Sequence, residues 1–213
     1  MEFLDPKLDE YAALHTADEN ALLKKINRET YAQVLMPRML SGHMQGRILA
    51  TFSRMIRPNC ILEIGTYTGY SALCLAEGLQ EGGKLITIDI NDELEKRVRN
   101  YFSESAYASG IDYRIGNALD IIPQIRESFD LVFIDADKIN YHRYFDLVIE
   151  QVPKGGFLIA DNVLWSGKVL LPESEMDEDT LAIHQFNEKV RSDKRVETTL
   201  FPVRDGLMVM RRI

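Results

Sequence analysis

Between residues 18 and about 36 the run ALLKKINRETYAQVLM places apolar side chains three and four positions apart, and a second such stretch runs from about 42 to 56, just ahead of Pro58. The spacing predicts two N-terminal helices. From Cys60 the texture changes to short, nearly continuous apolar runs separated by longer amphipathic ones: CILEI, YSALCLAEGL, KLITIDI, DELEKRVRNYFSESA, then IDYRIG and a short helix near ALDIIPQI. FDLVFIDA, a helix around NYHRYFDLVIEQV, and GGFLIADN continue the alternation. Strands apolar on both faces, alternating with helices, predict a parallel sheet with crossover connections. Beyond it, VLWSGKVLLPESEMD reads as a loop, residues 178–191 as a helix, and VETTLFPV and GLMVMRRI as an antiparallel pair joined across Arg204, Asp205 and Gly206.

The expected fold is therefore α/β, Rossmann-like and doubly wound: a mostly parallel seven-stranded sheet with a C-terminal antiparallel hairpin and extra N-terminal helices. With 213 residues, 46% of them hydrophobic, the chain suits one core, so a single domain is expected over 1–213, with 1–57 a helical cap and 58–213 the α/β core. A formal charge of −8, with basic residues dispersed among more numerous acids, argues against nucleic acid as partner and favours a small molecule. Cys60 and Cys74 lie in apolar runs and read as buried reduced thiols. The N-terminal MEFLDPKLDEYAAL is acidic, with neither a basic lead-in nor a long apolar run, so neither a signal peptide nor a membrane anchor is expected, and a cytoplasmic location follows.

LEIGTYTGYSAL opens at the end of the first strand. Gly65 and Gly69 supply the backbone freedom of a ligand-cradling turn, but the middle glycine of a pyrophosphate-binding G-x-G-x-x-G is replaced by Tyr67. Glu63, just before the loop, would repel a diphosphate and attract an ammonium. Asp89, ending the second strand, stands where an acid accepts the hydroxyls of an unphosphorylated ribose. An adenosine with a cationic amino-acid tail, S-adenosylmethionine, meets these requirements better than a nicotinamide dinucleotide.

The fourth strand ends in FIDADK and the fifth in LIADN, and neighbouring strands of an open α/β sheet present their carboxyl ends to the ligand crevice. Asp135, Asp161 and Asn162 would form a hard oxygen-donor set suited to Mg²⁺, or to Mn²⁺ or Ca²⁺. Acids at strand ends also serve as caps or cofactor contacts, and Asp161–Asn162 alone could form a turn. Lys138, three residues after Asp135, can reach the same cavity and serve as a general base. The four histidines are scattered without an i, i+4 pair and read as structural or surface residues.

These segments, with GNALDIIP, FDLVFIDADKINY, LIADNVLWSG and the closing PVRDGLMVMRRI, resemble the metal-dependent class I O-methyltransferases, the family of the catechol and caffeoyl-CoA O-methyltransferases, along nearly the whole chain. The resemblance implies cofactor contacts from Met39, Ser41, Glu63, Gly65, Thr66, Tyr67, Ser71, Asp89, Ala118 and Asp135. It further implies metal ligation by Asp135, Asp161 and Asn162, proton abstraction by Lys138, and Trp165 against the aromatic face of the substrate. Ala136 and Asp137 stand where the animal catechol enzymes place an aromatic wall, so DADK is similar to the caffeoyl-CoA and bacterial branch, whose members commonly form homodimers. The expected acceptor is a vicinal dihydroxy aromatic, such as a caffeoyl-CoA-like compound or a flavonoid. The alternatives are an NAD(P)-dependent oxidoreductase on the same architecture, or a non-catalytic S-adenosylmethionine-binding protein.

Overall fold

The computed structural model describes residues 5–213; the acidic N-terminal stretch expected to carry no leader or anchor begins outside them, at residues 1–4. The strands are β1 (Cys60–Ile64), β2 (Lys84–Asp89), β3 (Ile111–Ile115), β4 (Leu131–Ile134), β5 (Phe157–Asp161), β6 (Val196–Phe201) and β7 (Leu207–Arg212). They form one sheet in the order β3-β2-β1-β4-β5-β7-β6. Pairing is parallel for β1–β2, β2–β3 and β4–β5, and antiparallel for β5–β7 and β6–β7. This is the expected seven-stranded, mostly parallel sheet with a closing hairpin. The chain divides into two compact units, one ending at Asn117 and one running Ala118–Ile213.

In the first unit, α2 (Ala21–Gln33) starts at Asn20, whose side chain accepts the Leu23 N–H at 2.9 Å, and buries Leu23, Ile26 and Thr30 along one stripe. Helix α3 (Gly42–Ile56) buries Gln45, Leu49, Ala50 and Ser53 at the same periodicity and ends where Arg57 turns left-handed ahead of Pro58. The amphipathic pattern predicted both. It did not announce α1 (Pro6–Leu14), because that helix leaves Leu8, Tyr11 and Leu14 exposed and so carries no buried stripe to read.

Helix α4 (Tyr70–Ala76) is buried throughout, and the chain leaves it across Gly78, which lies against α3. A Cβ there would sit 2.1 Å from the Ser53 carbonyl carbon, so the clash is with backbone. Ser53 is itself fixed, its hydroxyl donating to the Leu75 carbonyl at 2.6 Å. Gly78→Ala is expected to destabilise by at least about 1–3 kcal/mol and lower the calorimetric Tm by several degrees. A Tm equal to that of the parent protein would mean that α3 slides aside without cost. Helix α5 (Glu95–Ser103) follows β2.

In the second unit β4 and most of β5 are fully buried. After the short α6 (Ala118–Ile121), helix α7 (Tyr141–Val148) buries Tyr141, Tyr144, Phe145 and Val148, and α8 (Glu178–Ser192) buries Thr180, Ile183, Phe186 and Val190. The acidic run before α8 is solvated, and Asp177 caps the helix by accepting the Thr180 N–H at 2.8 Å while pairing with Lys168. The segment read as a loop contains tight turns at Trp165–Leu170 and Glu173–Glu175; left-handed residues at Ser166 and Gly167 keep the first from becoming a helix. Both cysteines are buried and free, and burial pushes the Cys74 thiol up to about 12. Among the described residues no helix is long and apolar enough to cross a membrane.

Candidate active site

The glycine loop belongs to the first unit. Glu63 is completely buried in β1, in register with Thr87 of β2. A carboxylate only accepts, so the Thr87 hydroxyl donates to Glu63 Oε2 at 2.5 Å and receives the Thr66 hydroxyl, also at 2.5 Å. Three polar groups thus form a directed chain ending on a buried carboxylate, a group that persists as an anion only where hydrogen bonds or a cation stabilise it. Thr87 was not singled out from the sequence, although a threonine amid the aliphatic KLITIDI, opposite an acid, was the available signal.

Tyr67 adopts φ 49°, a left-handed conformation costing an L-residue about 1–2 kcal/mol. Two restraints hold it: its N–H donates to Asp89 Oδ2 at 2.6 Å, and its hydroxyl reaches the carbonyls of Leu35 and Met36 at 3.1 and 3.2 Å. Gly69 follows at φ 80° with its α-carbon against Phe102, where a Cβ would fall 2.7 Å from the ring. The other Asp89 oxygen accepts the Asn91 N–H at 2.8 Å, and each carboxylate oxygen retains a lone pair for a ligand hydroxyl. Ser41, Thr66 and Ser71 are buried, whereas Met39 is 58% exposed in the turn before α3. His43 bonds the Ala17 carbonyl at 2.7 Å, a structural role.

The second unit holds Ala118, buried at the start of α6, and the cluster around Lys138. Asp135 follows β4 and Lys138 opens the turn into α7. Lys138 is buried and its Nζ donates to Asp135 Oδ1 at 3.2 Å, Asn162 Oδ1 at 3.0 Å and the Tyr141 hydroxyl at 2.5 Å, one acceptor for each ammonium proton. The Tyr141 hydroxyl in turn donates a hydrogen bond to the Asp161 backbone carbonyl at 3.1 Å. Burial, with Asp135 and Asp161 nearby, raises its pKa well above that of a free tyrosine, so the hydroxyl stays protonated. Tyr141 is fully buried and seats Lys138, a role latent in its spacing of three residues from the lysine.

Asn162 has φ 59°, and this left-handed residue ends the strand alternation that would send successive side chains to opposite faces. Its amide oxygen thereby joins Asp135 around one cationic point. Buried Asp161 precedes it, with Oδ1 accepting the Asn162 N–H at 2.7 Å. The Trp165 ring completes the group, 5.7 Å from Lys138 Nζ. Among the described residues no cluster of three or more His, Cys, Asp and Glu side chains could hold a metal; the candidate set is two carboxylates and an amide.

Residues 13–213 match the profile of the O-methyltransferase family. The chain belongs to that family. It is 31% identical over 205 residues to a caffeoyl-CoA O-methyltransferase of Stellaria longipes, covering 92% of this chain and 85% of that protein. The solved O-methyltransferase TomG from Streptomyces achromogenes, in complex with SAM, is similar at a TM-score of 0.89 and 26% identity, over 97% of this chain and 96% of that one. An O-methyltransferase from Bacillus cereus in complex with SAH gives 0.89 at 28% identity, over 97% of both chains. Membership makes the protein an S-adenosylmethionine-dependent O-methyltransferase, and the oxidoreductase and non-catalytic alternatives fall with it. For this methyltransferase the left-handed Tyr67 acquires a reason: the loop has no diphosphate to admit, so a side chain can occupy the position that a dinucleotide enzyme keeps bare.

Proposed function

We propose that this O-methyltransferase transfers the methyl group of S-adenosylmethionine to one hydroxyl of a vicinal dihydroxy aromatic small molecule, with a divalent ion, Mg²⁺ foremost, held by Asp135, Asp161 and Asn162. The observation carrying this reading is the convergence of Asp135 Oδ1 and Asn162 Oδ1 on a buried cation, the Lys138 ammonium, beside an aromatic ring. Asp135 and Asn162 present oxygens to a positive charge, and with the neighbouring Asp161 carboxylate they make a donor set suited to a hard ion that keeps some of its own water. Bound there, such an ion supplies Lewis acidity, lowering the pKa of a hydroxyl it touches.

The chain's own residues account for the remaining steps. The buried Glu63 carboxylate, oriented by Thr87, attracts the amino-acid end of the donor, and Asp89 accepts the ribose hydroxyls. Trp165 lies against the acceptor ring. Lys138, in its neutral form, takes the phenolic proton at Nζ; the oxygen lone pair forms the new bond to the methyl carbon as the carbon–sulfur bond breaks, and its electron pair returns to sulfur, leaving neutral S-adenosylhomocysteine. Holding oxygen and methyl in line contributes on the order of 7–11 kcal/mol relative to free encounter. The homodimer implied by the resemblance is a separate part of this proposal, checked by sedimentation.

Turnover of labelled S-adenosylmethionine with a panel of catechols, flavonoids and caffeoyl thioesters, with Mg²⁺ or with chelator, tests the reading. Methylation of a vicinal diol that stops with chelator supports it; transfer indifferent to chelator removes the metal, and cofactor binding without turnover of any diol removes the proposed acceptor class. Asp89→Asn should weaken S-adenosylmethionine binding by about 10- to 100-fold, the worth of a charge-assisted hydrogen bond, measured by calorimetry.

A further inference from the structure

The turn carrying Trp165 is strained and held from the far end of the chain. Asn162, Trp165 and Ser166 have φ values of 59°, 46° and 54°, and Gly167 follows at 79°. Side chains disfavour this left-handed region because Cβ crowds a carbonyl, so the segment persists only where its surroundings determine it. The β6–β7 turn supplies that restraint. The Asp205 carbonyl accepts the Leu164 N–H at 2.9 Å, its side-chain Oδ1 accepts the Ser166 N–H at 2.5 Å, and the Gly206 carbonyl accepts the Val163 N–H at 3.2 Å. One residue, Asp205, thus grips the backbone on both sides of Trp165, while the Trp165 N–H closes on the Asn162 carbonyl at 3.2 Å.

We propose that Asp205 is a positioning residue: it sets the Trp165 ring beside Lys138 and thereby tunes the affinity for the aromatic acceptor. The acceptor half of this inference rests on the proposed role of Trp165. The positional half does not, because Trp165 is the only tryptophan in the chain and its fluorescence reports its surroundings directly.

Asp205→Ala is expected to shift the tryptophan emission to the red and increase its quenching by acrylamide without any substrate. It should also raise the acceptor KM about tenfold, the effect of losing one hydrogen bond to a charged acceptor, and leave the S-adenosylmethionine KM unchanged. Asp205→Asn, which keeps an oxygen acceptor for the Ser166 N–H, should restore both properties. If the alanine variant does not fold, Asp205→Ser, which draws the acceptor back by one bond, should show the same changes in smaller measure. Unaltered emission in these variants overturns the positional claim. Altered emission with an unaltered acceptor KM overturns the link to the acceptor, and a parallel rise in both KM values reduces Asp205 to a general stabiliser. Absence of methyl transfer by the parent protein to every diol would count against the proposed acceptor class, while the fluorescence result still decides the grip.

Discussion

Lys138→Met is expected to lower kcat by about 10²- to 10⁴-fold, the contribution usual for the general base that Lys138 is proposed to be, with binding of S-adenosylmethionine unchanged. Methionine keeps an unbranched chain of similar length, with sulfur in place of the δ-methylene and no nitrogen, so the expected loss belongs to proton transfer and not to a cavity. The lysine is buried and each of its protons has an acceptor, in Asp135, Asn162 and Tyr141. Such a group is held in place and is poorly suited to being a solvated surface charge. Two of its three partners are candidate metal ligands, so a bound divalent ion and the ammonium would compete for the same oxygens. Tyr141→Phe removes one seat and should cost far less, about tenfold or below. Saturating initial rates check both, and a Lys138→Met enzyme with the parent kcat removes the lysine from the chemistry.

How far the sequence foretold this arrangement depends on the range of the interactions. Helix α3 was legible to its ends because a buried stripe runs its full length and Pro58 follows; β1 was equally clear as five buried residues between turn signals. The β4 strand was read too long, through Ala136, because the apolar run passes smoothly into a turn whose start is set by the seating of Lys138 and not by composition. In the candidate site, Asp135, Lys138 and Asn162 were foreseen since strand ends in this architecture face one crevice, and the structure brings those three together. Three supporting residues were not foreseen in their roles. Thr87 acts across a strand pairing, Tyr141 through a hydroxyl within an otherwise core residue, and Asp205 over a separation of 39 residues in the chain. Each depends on a hydrogen bond formed only after the fold closes, and neither periodicity nor spacing encodes such a partner.

Asp161→Asn tests the proposed metal site separately from the proposed base and should produce the largest divalent-ion effect. The substitution keeps the side chain's shape and an oxygen to accept the Asn162 N–H, now at 2.7 Å, while removing the charge. The Tyr141 hydroxyl bonds the backbone carbonyl of residue 161, so the seat of Lys138 should survive. Stability should therefore change little even though the position is buried. If a divalent ion completes the site, the variant loses about 10²- to 10³-fold in kcat at ordinary Mg²⁺, comparable to deleting one preorganised electrostatic contact. Part of that loss should return as Mg²⁺ is raised, because a weakened site fills again by mass action. Combining Asp161→Asn with Lys138→Met should then cost less than the product of the single losses, since both groups act on the same proton. An Asp161→Asn enzyme with unchanged kcat and no response to Mg²⁺ or chelator would leave Lys138 as the sole activator and assign Asp161 to strand-end structure.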